Sequence, residues 1–121
     1  MENGTGDGNW LYYLDAMITF ARKAYVYTQR LEQRSFVGND VVFDATVRNL
    51  ELLGEAATHI PDETRAANEH IPWGMLIATR ERLMRSDGAI DWDVIWTIVD
   101  DDIPPLIPAL QSLRESVAGS A

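Results

Sequence analysis

Three of the chain's ten basic residues crowd into Arg80-Glu81-Arg82-Leu83-Met84-Arg85, in a sequence whose 19 acidic residues set the net charge at −9. Guanidinium groups do one kind of chemistry well. Their planar fork of N–H donors holds phosphate or carboxylate oxygens, and they keep their proton near neutrality. At about 100° per residue, Arg82 and Arg85 project about 60° apart on a helix and Arg80 about 140° from Arg85, so the segment predicts no single flat basic face. Arg82 and Arg85 are expected to look outward. Arg80 instead falls among Leu76, Ile77, Leu83 and Met84, its neighbours three and four positions away. A cation on such a stripe must be matched by a carboxylate, or by an anion that the protein binds.

Carboxylates able to meet Arg80 lie elsewhere in the chain. Asp44, Arg48, Glu51 and Glu55 recur three or four positions apart, which lays a polar ladder along one side of a helix. Arg48, Glu51 and Glu55 are therefore the candidate cleft partners of Arg80. Two readings follow: Arg80 pairs with Glu51 or Glu55 as part of the bundle, or it joins Arg82 and Arg85 in holding phosphate oxygens. His59 and His70 carry the two imidazoles, the groups whose ordinary range spans neutrality. His59 lies in the last turn of its helix and reads as a cap; His70 precedes Ile71-Pro72 in a loop. Their spacing is not that of a metal site, and Asp100-Asp101-Asp102 reads as a solvated charge run. Without cysteine there is no thiol nucleophile, thiolate ligand or disulfide. No metal and no cofactor are expected. Trp73, Trp92 and Trp96 read as anchors of a core or interface rather than as platforms for bases.

Helices must position these side chains. Apolar residues return at helical spacing from Trp10 to about Gln33, from Val41 to His59, from Trp73 to Arg85, and from Asp91 past Leu113. Ser35 to Asp40 reads as a linker with Asp40 as the following cap, and Pro61-Asp62-Glu63 opens a short turn to about Asn68. Asp91 is the expected cap of the last long segment. Asp100 to Asp102 and Pro104-Pro105 predict a kink or break within it. No segment alternates as a strand does, so the fold class is all-α: an antiparallel bundle of four or five helices. With 121 residues, 46% of them apolar, the chain suits one domain. Its expected limits are 10–116, flanked by a flexible N-terminus at 1–9 and a flexible tail at 117–121. The acidic balance opposes non-specific attraction to nucleic acid or anionic lipid, so any polyanion must be met locally. No membrane segment or signal peptide is evident, which points to the cytoplasm.

Two segments resemble a known family. Val47-Arg48-Asn49-Leu50-Glu51-Leu52-Leu53-Gly54-Glu55-Ala56-Ala57 is similar to the second-helix signature of the HEPN-type toxins of the HepT family. Ile71-Pro72-Trp73, then Arg80-Glu81-Arg82-Leu83, then Ile90-Asp91 and Val94-Ile95-Trp96 resemble the segment around that family's active site. The resemblance spans about Leu11 to Leu113. It implies a helical bundle that forms a homodimer with active sites facing across the interface, and a metal-independent endoribonuclease acting on tRNA or mRNA. It also implies a type VII-like toxin–antitoxin module in which a minimal nucleotidyltransferase antitoxin holds the toxin in check. The family motif is an arginine, four residues, a histidine, one residue and a tyrosine, the tyrosine being where the antitoxin attaches adenylate. Arg80 matches the arginine, whereas Arg85 stands at the histidine position and Asp87 at the tyrosine position. Arginine cannot serve as a general base at neutral pH, and Asp87 offers no hydroxyl. The alternative is thus a catalytically inactive HEPN-like protein that binds RNA, a nucleotide or the nucleotidyltransferase through Arg80, Arg82 and Arg85.

Overall fold

The structure, a computed structural model, describes residues 4–85 and 91–120, with side chains for 10–36, 38–85 and 91–117. Helix α1 (Gly4–Thr28) is followed by a one-turn helix α2 (Gln33–Val37) and the long α3 (Asp40–Ala57). A second one-turn helix, α4 (Asp62–Ala66), leads into α5 (Trp73–Arg85). Helix α6 (Trp92–Thr97) passes through a π-helical turn (Ile98–Asp102) into α7 (Ile103–Ser120). Every regular element among the described residues is helical, so the all-α reading holds. Neighbouring long helices run antiparallel: Tyr13 near the start of α1 stacks on His59 just past the end of α3, and Asp15 of α1 meets Arg114 late in α7 at 2.8 Å.

The apolar stripes explain the packing. Leu14, Met17 and Ala21 of α1 are fully buried, and they meet Leu50, Leu53 and Ala57 of α3 with Leu106 and Leu110 of α7 in one core. Three and four residues separate successive members on each helix, so each stripe stays on one face over several turns.

Local chemistry sets the helix ends, in places differently from the expectation: α1 stops at Thr28 rather than near Gln33. Asn39, not Asp40, caps α3: its Oδ1 accepts from the Val42 amide at 3.1 Å. Asp40 instead becomes the first helical residue, where a carboxylate still favours the helix dipole. The expected linker from Ser35 to Asp40 is partly helical as α2, because Phe36 is fully buried there. Its ring lies 5.6 Å from Phe43 and 5.3 Å from Trp96, while Phe43 stacks on Trp92 at 3.7 Å. Burial of that ring stabilises a turn whose own propensity is too weak to specify it. Asp91 caps α6 as expected, accepting from the Asp93 amide at 2.9 Å and the Val94 amide at 3.4 Å.

The predicted interruption near Asp100 takes the form of the π turn, in which the Ile103 amide donates to the Ile98 carbonyl. Pro104, Pro105 and Pro108 lack the amide hydrogens that would reach the carbonyls of Asp100, Asp101 and Pro104 in a regular helix. A wider turn absorbs that mismatch without ending the rod. Asp102 in this turn is half-buried, and desolvation, with the like charge of Asp101 second, raises its carboxyl above the ordinary aspartate range. A raised carboxyl pKa means that the folded state holds the proton longer, so stability falls as pH climbs past the ordinary range. Asp102→Asn should therefore gain in melting temperature relative to the parent chain at pH 7, and the gain should shrink toward pH 3.5; a gain independent of pH would contradict it.

Helices α3 and α5 cross closely. A Cβ placed on Gly54 would lie 2.5 Å from the Arg80 Cβ and 2.6 Å from the Leu76 carbonyl oxygen, so only glycine lets the two backbones approach this closely. Gly54→Ala should lower stability by about 1–3 kcal/mol through overpacking, although alanine is the better helix former by ~1 kcal/mol. Chemical denaturation measures the difference, and an unchanged or raised stability would contradict the crossing.

Candidate active site

The close crossing delivers Arg80 to the side of α3. Its Nη2 forms an ion pair with Glu55 Oε1 at 2.7 Å, and its side chain retains 24% exposure. Of the two acids that the polar ladder offers, Glu55 is the partner. Glu51, one turn earlier, faces Arg48 at 3.6 Å. Arg48, Glu51, Leu52 and Glu55 of α3 with Arg80 and Met84 of α5 enclose an open cleft of about 270 Å³. Among the described residues, Glu55 is the one partner of the Arg80 guanidinium, so Nη1 and Nε remain as donors beside the cleft.

The other two arginines of the 80–85 segment stand apart from this cleft within a single chain. Arg82 is exposed, and Arg85 is 73% exposed, with Glu81 at 4.0 Å as a loose partner one turn back on α5. That splay follows from the helical angles between positions 80, 82 and 85. Asp87 lies outside the described residues. Among the described residues no three His, Asp or Glu side chains group as a metal site.

The second carboxylate oxygen of Glu55 is also used. His59, four residues after Glu55 and just past the end of α3, has its Nε2 3.2 Å from Glu55 Oε2, and its ring stacks on Tyr13 of α1 with centroids 3.9 Å apart and planes 9° from parallel. One carboxylate thus bridges a guanidinium and an imidazole. His70 lies elsewhere, lining a cavity of about 180 Å³ with Pro72, Asp102, Pro105, Leu106 and Ala109. Trp73 is buried and its indole N–H donates to the Asn68 carbonyl at 3.0 Å; Trp92 and Trp96 belong to the aromatic group around Phe36. Sequence reasoning passed over Gly54 and Tyr13. A glycine inside a helix carries a signal, since it costs about 1 kcal/mol unless a close approach needs it; Tyr13 carries none.

A family model described as ribonuclease HepT-like matches residues 17–113, which include α3, α5 and every described side chain of the cleft. The chain belongs to the HepT-like ribonuclease family. Among relatives of this HepT-like chain is a protein of Methanocaldococcus jannaschii named "Putative RNase MJ1216", 28% identical over 90% of this chain and 84% of its own length. Another from the same organism, "Putative RNase MJ1380", is 27% identical over 78% of this chain and 86% of its own. A "Probable ribonuclease HepT" of Thermococcus cleftensis is 34% identical over 59% of this chain and 64% of its own. No solved structure matches the chain significantly.

The coupling between Arg80 and Glu55 is measurable by a double-mutant cycle. Glu55→Ala should cost about 1 kcal/mol by leaving a partly buried cation unmatched, Arg80→Ala a similar amount, and the double variant less than their sum by about 0.5–1 kcal/mol. Arg85→Ala should stay within about 0.5 kcal/mol. Urea denaturation of the parent and the four variants checks both statements, and strict additivity would mean that the 2.7 Å pair contributes nothing.

Proposed function

We propose that this HepT-like chain is the toxin of a type VII-like toxin–antitoxin module, an endoribonuclease that cleaves tRNA or mRNA without a metal ion. A minimal nucleotidyltransferase antitoxin restrains it, and both act in the cytoplasm. One observation carries the reading. The Arg80 guanidinium is held at one nitrogen by Glu55 and leaves its other donors beside an open cleft, in a protein whose net charge otherwise repels nucleic acid. Donors left open at such a cleft can take phosphate oxygens beside the carboxylate partner. The names of the relatives as RNases agree in direction.

The chain acts as a homodimer in which two clefts face each other, and Arg85, distant from Arg80 within one chain, contributes its charge to the RNA backbone near the interface together with Arg82. A second reading is favoured by Arg85 standing where the family has histidine. On that reading the cleft binds RNA or the antitoxin and does not cut. Asp87 cannot accept adenylate as a tyrosine would, so the antitoxin restrains this chain by contact.

Purified protein incubated with tRNA and mRNA in excess EDTA tests the proposal. Cleavage is expected, and Arg80→Ala should reduce its rate by about 10²-fold, the scale of losing one donor to developing phosphate charge. A parallel Arg85→His, Asp87→Tyr chain serves as reference. If that reference cuts while the parent chain binds RNA and leaves it intact, the second reading replaces the first. If neither binds nor cuts, both readings fall.

A further inference from the structure

We propose that His59 takes up the ribose 2′-hydroxyl proton when this chain cleaves RNA, supplying from the end of α3 the imidazole that position 85 lacks; the inference rests on the ribonuclease reading above. The obvious rival role is that of a helix cap, and the backbone has no need of one. The Gly54 and Glu55 carbonyls both accept from the Thr58 amide, at 3.3 and 3.1 Å, and the Thr58 hydroxyl also donates to Glu55 at 2.6 Å. The Ala56 carbonyl accepts from the His59 amide at 3.0 Å and the Ala57 carbonyl from the Ile60 amide at 3.2 Å. All four terminal carbonyls are satisfied without the ring.

The imidazole is instead held as a proton acceptor is held. Glu55 accepts only, so Nε2 must be the protonated nitrogen and Nδ1 carries the lone pair in the neutral ring. Among the described residues Nδ1 has no hydrogen-bond partner. The stack on Tyr13 fixes the plane of the ring, and the carboxylate fixes its rotation, which is the arrangement by which an acidic group orients a catalytic imidazole. Glu55 on α3 and Tyr13 on α1 are the titratable groups that touch it, and Arg80 on α5 is one carboxylate away. The phosphate-binding group and the proton-accepting group are thus joined through the two oxygens of one carboxylate.

The step balances without any group the protein lacks. O2′ attacks the adjacent phosphorus as its proton passes to His59 Nδ1; the O2′–P bond forms and the P–O5′ bond breaks. The departing O5′ takes a proton from water, leaving a 2′,3′-cyclic phosphate and a 5′-hydroxyl end, and the imidazolium returns its proton to the hydroxide so formed. Arg80 balances charge on the phosphoryl oxygens.

The test compares the parent chain, His59→Gln and His59→Ala in EDTA over pH 5 to 9, with folding checked by circular dichroism and RNA affinity by filter binding. Glutamine still donates to Glu55 but cannot exchange a proton. His59→Gln should lose about 10²-fold or more in kcat with KM changed little, should lose the acid limb of the kcat/KM profile, and added imidazole should restore part of the rate to His59→Ala. If the parent chain cuts and His59→Gln cuts within about three-fold of it with the same pH profile, His59 is only structural and the ribonuclease reading stands. If the parent chain leaves RNA intact, the ribonuclease reading fails and takes this inference with it.

Discussion

Everything at the cleft depends on how closely two helix backbones pass. Side chains usually hold packed helices 8–10 Å apart. At Gly54 the absence of a Cβ lets α5 settle against α3 until the Arg80 Cβ and the Leu76 carbonyl occupy the space a larger residue would need. That contact acts as a key in a joint. It sets the height of Arg80 along α3, and so it decides that Glu55, the residue next to the glycine, becomes the partner while Glu51 turns to Arg48. A slide of one helical turn would bring a side chain of α3 to the crossing, which the spacing forbids. The glycine thus trades helix propensity for register, and the register positions the charges.

The rest of the bundle supports that joint. The core of α1, α3 and α7 is built from stripes at helical spacing, and the aromatic group of Phe36, Phe43, Trp92 and Trp96 ties α2 and α6 to the start of α3. The end of α3 is where these constraints converge. Gly54, Glu55 and His59 lie within little more than one turn of it, each reaching a different neighbour: the α5 backbone, the Arg80 side chain and, through His59, the Tyr13 ring of α1. A site assembled on one helix end keeps its internal geometry even if more distant helices shift.

Much of this was legible in the residues. The long helices announce themselves by period, and the Asp91 cap and the proline-driven interruption before α7 follow from local chemistry. The ladder on α3 narrowed the partner of Arg80 to two acids, because residues four apart must share a face. The choice between those two was not legible, since it depends on the height of one helix against another. Nor was α2: its single turn exists because Phe36 is buried by residues far along the chain, and propensity could not foresee that. Asn39 displaced Asp40 as cap by a one-residue difference that local preference leaves nearly degenerate. What His59 does at the helix end was not legible for a related reason. Position in the last turn suggests a cap, but whether the terminal carbonyls are already satisfied is known only once Thr58 and the residues after it are placed.

The pairing of charges in the cleft has a consequence for how a polyanion would be held there. Arg48 is matched by Glu51 and Arg80 by Glu55, so the lining is electrically balanced, within a protein of net charge −9. Proteins that grip nucleic acid through unopposed basic surfaces gain much of their affinity from expelling condensed counterions, and that gain drains away as salt is added. A balanced lining expels few. Its hold on an RNA strand would vary gently with ionic strength, and discrimination would come from the fit of one phosphate and its ribose rather than from bulk attraction.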